Sequence, residues 1–156
     1  IVTDTTFQSV IDLIQKIRNV RSVYHVDPTV KPWLTIIGEK TTWEPFVPLI
    51  ERLARIEEVV LTTDPTQPKE TARIVSGDSA VYVHLSGFID LAKEQERLTK
   101  EKASAETYCQ GIQKRLSDER FVSKAPAHIL EQNRASLAET EKKIAELTKY
   151  IADLLV

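Results

Sequence analysis

Positively charged side chains gather around one break in the helical half of the sequence, and their chemistry suits phosphate groups. Residues 110–134 contain five basic and three acidic side chains, a net charge of +2. Lysine and arginine form charge-assisted hydrogen bonds with phosphate oxygens, so this excess is compatible with contacts to a nucleic acid without identifying one. The five basic residues are Lys114, Arg115, Arg120, Lys124 and Arg134. Elsewhere in this half, basic and acidic residues alternate, which favours a solvated helix surface with i,i+4 ion pairs.

The other residues that carry chemistry are too scattered to predict a catalytic or metal site. His25, His84 and His128 have no carboxylate or cysteine at ligand spacing, which favours three ordinary exposed or half-buried histidines. Cys109 lies in a hydrophobic repeat with no histidine near it in sequence, so a packed thiol is favoured over a nucleophile. Glycine-rich phosphate loops, G-x-S-x-G motifs and paired-carboxylate patterns are absent. We therefore expect no catalytic residue, metal ion or cofactor in this chain.

The composition excludes several classes of protein. Of the 156 residues, 42% are hydrophobic and 28% are charged, which is typical of a folded globular protein rather than a disordered one. No apolar run approaches the roughly eighteen residues of a spanning helix. The net charge of −2 gives no overall positive field. The single cysteine excludes an internal disulfide, which fits a reducing compartment, and we expect the cytoplasm.

The start of the sequence suggests a longer protein. The chain contains no methionine and begins Ile1-Val2-Thr3-Asp4, without the basic and apolar regions of a signal peptide. We therefore expect the sequence to be a piece of a longer chain, and part of its function to belong to residues outside it.

Hydrophobic spacing predicts a small α/β unit in the first part of the chain. Apolar residues recur every three or four positions in the predicted helices, and short β-branched runs mark the predicted strands. Gly77-Asp78-Ser79 separates the last two strands and predicts a hairpin turn. The predicted helices cover residues 7–20 and 43–55, and the predicted strands cover residues 33–37, 58–62, 72–76 and 80–86.

Apolar residues seven positions apart predict two long helices in the rest of the chain. Because a break at residues 117–126 separates the two series, we expect an antiparallel coiled coil folded back on itself, with Leu98 near Leu147 and Leu91 near Leu154. The expected fold class is α+β, a small α/β unit followed by a long antiparallel coiled-coil helical hairpin. The first series is Leu91, Leu98, Ala105 and Ile112, and the second is Leu130, Leu137, Ile144 and Ile151, with Asn133, Thr140, Leu147 and Leu154 between.

Three motifs resemble bacterial valyl-tRNA synthetases and occur in that family's order. Ser117-Asp118-Glu119-Arg120-Phe121-Val122-Ser123-Lys124-Ala125-Pro126 is similar to the segment that joins two helices at the tip of the terminal arm. Gly87-Phe88-Ile89-Asp90-Leu91 resembles the start of that arm. Ile17-Arg18-Asn19-Val20-Arg21 resembles the last helix of the anticodon-binding bundle. The tip motif is the specific one, since related synthetases share the third.

The resemblance implies a function and a partner. In this family the arm is an antiparallel coiled coil that contacts the outer corner of tRNA, while aminoacylation takes place in a separate upstream domain. The HIGH- and KMSKS-type signatures of that domain are absent here. The chain would thus be the C-terminal appendage of a valine–tRNA ligase, a class I enzyme that uses ATP and magnesium. It would position tRNA(Val) as a monomer, with no membrane or DNA partner and no catalytic residue of its own.

The resemblance also implies boundaries and site residues. Residues 1–27 would be the bundle helix, 28–88 the small α/β unit and 89–156 the arm. Arg134 matches a recurrent basic site on the second helix, and Lys114 and Arg115 occupy the facing stretch of the first. Lys102 stands where the family often has leucine, so we expect loose packing there. The alternative to a tRNA-binding function is a coiled-coil module that pairs with another protein.

Overall fold

Contacts within the chain divide the molecule into two compact units. The computed structural model describes residues 4–156. The first unit contains the chain up to Glu94 together with residues 153–156, and the second contains residues 95–152. The predicted boundaries after residues 27 and 88 stay predictions.

A five-stranded mixed sheet with packed helices forms the first unit. A 3-10 turn, Glu44–Phe46, joins its second and third helices. In chain order the elements are α1 (Asp4–Val23), β1 (Trp33–Ile37), α2 (Lys40–Trp43), α3 (Val47–Ala54), β2 (Val59–Thr62), β3 (Thr71–Ser76), β4 (Ser79–His84) and β5 (Leu154–Leu155).

The strand order of the sheet is β2-β1-β4-β3-β5. β1 pairs in parallel with β2 and antiparallel with β4, and β3 pairs antiparallel with β4. This pairing confirms the predicted strands and the predicted hairpin, whose turn has Gly77 at φ +57°. Glycine adopts that left-handed conformation without the steric penalty that a Cβ atom brings.

The predicted helix over residues 43–55 is confirmed over Val47–Ala54 and is wrong over its first four residues. The structure has α2, the 3-10 turn and α3 in this region instead of one helix. Pro45 and Pro48 account for the interruption, since each lacks the N–H that a helix interior needs and each stands at the start of a short helical segment.

The core of the first unit includes the apolar face of α1. The helix predicted over residues 7–20 is confirmed, although Phe7, at the start of the predicted apolar face, is exposed; α1 packs against α3 and β3. Strands β1 and β4 contribute buried residues to the same unit, which explains why the short strands are rich in apolar side chains. Fully buried members of the core include Val10, Leu13, Ile17, Leu34, Ile36, Ile50, Val81, Val83 and Leu85.

The predicted heptad series is wrong at Leu154. The spacing makes this residue the last helical member, but it lies in β5 and pairs with Ala72 of β3. The reason is the free edge of β3, whose backbone groups gain partners when the chain leaves the helix at Asp153.

His84 is expected to make the first unit less stable in mild acid. Its Nε2 atom lies 2.7 Å from Thr35 Oγ1, and burial lowers the pKa of the ring from its ordinary value of 6.5. Below about pH 6.5 the unfolded chain takes up a proton that the folded chain does not, so the free energy of unfolding decreases as the pH falls. We expect a lower Tm at about pH 5.5 than at about pH 8, and a smaller difference in His84→Gln. An equal pH dependence in His84→Gln would contradict this assignment.

The second unit is built from two long helices and one short one. The helices are α4 (Leu91–Ser117), which begins in the first unit, α5 (Glu119–Lys124) and α6 (Ala127–Asp153), which ends in it. The long helices agree with the predicted helical segments, and the predicted break lies between them. The sequence did not predict that the break contains α5.

Burial along the long helices follows the predicted seven-residue repeat. On α4 the residues Leu91, Leu98, Ala105 and Ile112 are all buried. On α6 Leu147 is buried, and the other members of the series are half-buried as far as Ile151. Each long helix therefore has one face turned away from solvent, whereas coiled-coil packing of the two stays a prediction.

Lys102 interrupts the buried face of α4, and we expect Lys102→Leu to stabilise the second unit. The Lys102 side chain is 30% exposed, and its Nζ lies 3.8 Å from Glu106 Oε1. Such a surface pair contributes only a few tenths of a kcal/mol, whereas a half-buried leucine contributes about 1 kcal/mol. The matched control is Lys100→Leu, at an exposed lysine that pairs with Glu96. Thermal melts check this prediction, and a lower Tm for Lys102→Leu would show that the heptad register is wrong.

Candidate functional site

The five predicted phosphate-binding cations surround the turn between the long helices. Lys114 and Arg115 lie in the last turn of α4, Arg120 and Lys124 belong to α5, and Arg134 lies in the second turn of α6. All five side chains are exposed. We call these residues the tip cations.

Two residues explain how the sequence makes this turn. Asp118 has an extended backbone, which ends α4, and its carboxylate accepts a 3.0 Å hydrogen bond from the N–H of Arg120 at the start of α5. Pro126 disfavours a helical conformation at Ala125, which is extended and ends α5. The cations of α5 are therefore held on a short helix between two defined stops.

The ion pairs of the second unit lie away from the tip cations. Lys100 Nζ lies 2.9 Å from Glu96 Oε1, and this hydrogen bond lowers the pKa of Glu96 and raises that of Lys100. Glu101 carries two partners, Arg97 at 3.2 Å and Lys143 of α6 at 3.3 Å. Within residues 4–156, none of the tip cations has a carboxylate within ion-pair distance. Their charges are accordingly free to meet an anionic ligand.

Apolar side chains lie among these charges. Phe121 and Val122 of α5 are half-buried, as are Leu116 of α4 and Ile129 of α6. The tip motif predicts that its two apolar residues, Phe121 and Val122, fold back to cap the end of the two helices, and their partial burial fits this prediction. It also leaves part of each side chain open to a ligand.

The residues typical of catalytic and metal sites stay apart in the structure. Cys109 is buried on α4, and His128 is exposed at the start of α6. His25 lies 3.9 Å from a carboxylate oxygen of Glu94. In the part of the chain that the structure describes, no three His, Cys, Asp or Glu side chains are grouped to hold a metal ion. No helix there has the length and apolar character needed to cross a membrane.

A second cluster of positive charge was missed by the sequence reasoning. Arg18 and Arg21 of α1 and Arg55, which follows α3, line one cavity of about 390 Å³ in the first unit. Arg18 and Arg21 belong to the motif noted above, but nothing in that motif points to Arg55. A left-handed backbone at Arg55, with φ 55° and ψ 55°, brings this residue to the cavity.

Comparison with known proteins gives consistent matches. Residues 90–155 match the family model described as the valyl tRNA synthetase tRNA binding arm. A valine–tRNA ligase of Syntrophotalea carbinolica is 34% identical over 152 residues, which is 94% of this chain and 17% of that protein. One from Mesorhizobium japonicum is 39% identical over 133 residues, 83% of this chain and 14% of that protein. One from Thermotoga maritima is 28% identical over 148 residues, 95% of this chain and 17% of that protein. The chain thus spans only a small part of the length of these relatives.

Proposed function

Because residues 90–155 belong to the valyl-tRNA synthetase tRNA-binding arm family, and nearly the whole chain matches valine–tRNA ligases, we propose that this chain binds tRNA through its second unit. It acts as a C-terminal appendage that holds tRNA in register for a catalytic domain elsewhere in a longer protein. The observation in the structure that carries the proposal is the set of exposed tip cations, which have no carboxylate partner among residues 4–156.

The arm proposed here is an antiparallel coiled coil. The seven-residue burial on α4 and α6 supports this packing, as does the 3.3 Å ion pair between Lys143 of α6 and Glu101 of α4. A pair of helices braced in this way is stiff enough to present the tip cations at a fixed distance from its base. Each long helix has 27 residues and is about 40 Å long at the usual rise per residue.

The longer protein is proposed to be an ATP-dependent class I aminoacyl-tRNA synthetase that joins valine to tRNA(Val) in the cytoplasm. The names of the relatives support this assignment. ATP and Mg²⁺ then belong to the catalytic domain, and this chain contributes positioning alone. Its first helix, α1, is the last helix of the anticodon-binding bundle in this proposal.

A gel-shift series tests tRNA binding and its specificity. The chain is titrated with tRNA(Val), with a tRNA for another amino acid and with a linear RNA of equal length. Recognition of the outer corner predicts that both tRNAs bind more tightly than the linear RNA, because the corner exists only in folded tRNA. Equal affinity for all three would leave only nonspecific phosphate binding.

The mass in solution distinguishes this proposal from the coiled-coil adaptor. A monomeric chain that binds tRNA supports an internal hairpin, since its hydrophobic seam is then satisfied within one molecule. A tight dimer that does not bind tRNA would favour pairing between proteins. Multi-angle light scattering with and without tRNA makes this comparison.

A further inference from the structure

The cavity between α1 and the end of α3 is lined by cations and by no carboxylate. Its charged lining residues are Arg18, Arg21 and Arg55, and the rest of its wall includes the apolar side chains of Val26 and Leu53. Arginine clusters of this kind are normally balanced by aspartate or glutamate, because like charges held close together repel each other. Here no aspartate or glutamate among the described residues lines the cavity, and Asp27, outside the lining, offsets the charge of Arg21 only in part.

The arginines are held in place by neutral acceptors. Arg21, only 8% exposed, donates from Nη1 to the carbonyl of Arg55 at 2.9 Å and from Nη2 to the carbonyl of Val30 at 2.6 Å. Arg18 donates from Nε and Nη2 to the carbonyl of Leu53 at 3.0 and 2.9 Å. These bonds fix the side chains but leave their positive charges in place, and Arg18 keeps N–H donors that they do not use.

Arg55 completes the cluster from the other side. Its Nη1 donates to the carbonyl of Pro28 at 3.1 Å, and its remaining N–H groups have no acceptor among the described residues. The backbone of Arg55 is left-handed, a conformation in which glycine is favoured at the end of a helix. The Arg55 side chain nevertheless lines the cavity together with Arg18 and Arg21.

The electrostatics of the cavity favour an anion. Burial, and then the charge of Arg55, lower the pKa of Arg21, and Asp27 opposes this only in part. The Asp27 carboxylate instead accepts hydrogen bonds from the N–H and hydroxyl of Thr29, at 2.8 and 2.7 Å. A guanidinium nevertheless stays protonated at neutral pH, so an anion in the cavity would relieve the repulsion between Arg21 and Arg55.

We propose that this cavity binds a phosphate oxyanion, supplied either by the backbone of RNA or by a free phosphate compound. Arg18 and Arg55 contact the phosphate, because both are exposed and planar guanidinium groups match its oxygens in a bidentate manner. Arg21 is a positioning residue that holds the carbonyl of Arg55 and the carbonyls of Asp27 and Val30 in the loop after α1. The RNA form rests on the proposed function, whereas the free-phosphate form does not.

Titration with inorganic phosphate tests the site directly. The Nε–H resonances of arginine side chains are followed by NMR in the ¹⁵N-labelled chain. We expect saturable shifts at Arg18 and Arg55 and none at Arg73, an exposed arginine of β3 outside the cavity. In Arg18→Gln or Arg55→Gln, the affinity for phosphate measured from the remaining shifts should be at least about tenfold weaker. Arg73→Gln should bind phosphate as the wild type does. Arg55→Gly separates binding from folding, because glycine suits the left-handed backbone and removes the side chain.

Titration with tRNA at several salt concentrations distinguishes the two sources of phosphate. If RNA supplies the phosphate, the double variant with Arg18→Gln and Arg55→Gln should bind tRNA about three- to tenfold more weakly. The slope of log affinity against log salt concentration should also flatten by about 0.7–0.9. Phosphate shifts with unchanged tRNA affinity and slope would support the site and assign it to a free phosphate compound. The proposal would be overturned if phosphate caused no shifts and the double variant left tRNA binding unchanged.

Failure of the proposed function gives a different result. If the wild-type chain does not bind tRNA, the arm assignment fails, and the phosphate titration alone then decides the cavity. If tRNA binds and only variants of the tip cations weaken it, the arm assignment stands and the RNA form of the cavity site is excluded.

Discussion

Replacing Lys114, Arg115, Lys124 and Arg134 with alanine is expected to weaken tRNA binding by about two orders of magnitude or more at physiological salt. These side chains are exposed and have no carboxylate partner among residues 4–156, so their loss removes no ion pair from the folded chain. Each lost phosphate contact should flatten the slope of log affinity against log salt by about 0.7–0.9, which gives a change of about 3 for all four. Filter binding or fluorescence anisotropy at four or five salt concentrations measures both quantities.

The matched control removes four exposed lysines from α4 and α6, away from the turn. Changing Lys93, Lys100, Lys142 and Lys149 to alanine alters the net charge equally. If the tip cations bind phosphate, the control should lose much less affinity and slope than the tip variant. Equal losses in the two variants would show that only overall charge matters and would contradict a defined site at the tip.

The valine–tRNA ligase proposed as the longer protein offers an independent readout of the same variant. We expect the KM for tRNA to rise while valine-dependent ATP–pyrophosphate exchange stays nearly unchanged, because adenylate formation needs no tRNA. Parallel loss of both activities would point to a structural role for the arm. Unchanged tRNA kinetics would favour the protein-interaction alternative.

The second large effect is expected for Leu147→Ala, which should lower the free energy of unfolding of the second unit by about 2–4 kcal/mol. Leu147 is 6% exposed and Leu98 is 1% exposed, and the heptad spacing predicts that they lie opposite each other. Removing the leucine side chain forfeits its transfer free energy and leaves a cavity that two helices cannot fully close. Urea melts followed by circular dichroism measure the loss, with Lys149→Ala as the exposed control, for which a change within about 0.5 kcal/mol is expected.

A double-mutant cycle makes the pairing itself testable. If Leu98 and Leu147 touch, the double alanine variant should differ from the sum of the single variants by about 0.5 kcal/mol or more. Additive effects, or a Leu147→Ala chain as stable as wild type, would show that the two helices do not pack in the predicted register.

Local patterns predicted most of the elements but not the points where distant segments meet. Residues 33–37 form a strand as predicted, because a short β-branched run carries its own conformational preference. Leu154 continues the predicted helical repeat, and only the open edge of β3 makes Leu154 and Leu155 a strand. No local pattern contains that edge, so β5 was not predictable from spacing alone.

The two positively charged regions show the same contrast. The tip cations are close together in sequence, so counting charges between residues 110 and 134 was enough to find them. Arg21 and Arg55 are 34 positions apart, and they meet through a backbone carbonyl and a left-handed turn. A composition count cannot find such a cluster, since it depends on tertiary contacts.

Strand β5 has a consequence for the order in which the chain folds. The segment 95–152 is an insertion in the first unit, and the sheet gains its last strand only from residues that leave the ribosome after the whole insertion. Until then the edge of β3 at Thr71 and Ala72 is open to other chains. Helix formation within the insertion shortens the effective loop that must close before β5 can pair, which lowers the entropy cost of closure. Truncation at Leu91 would therefore remove an edge strand together with the helices, whereas an internal deletion that keeps Leu154 and Leu155 would leave the sheet complete.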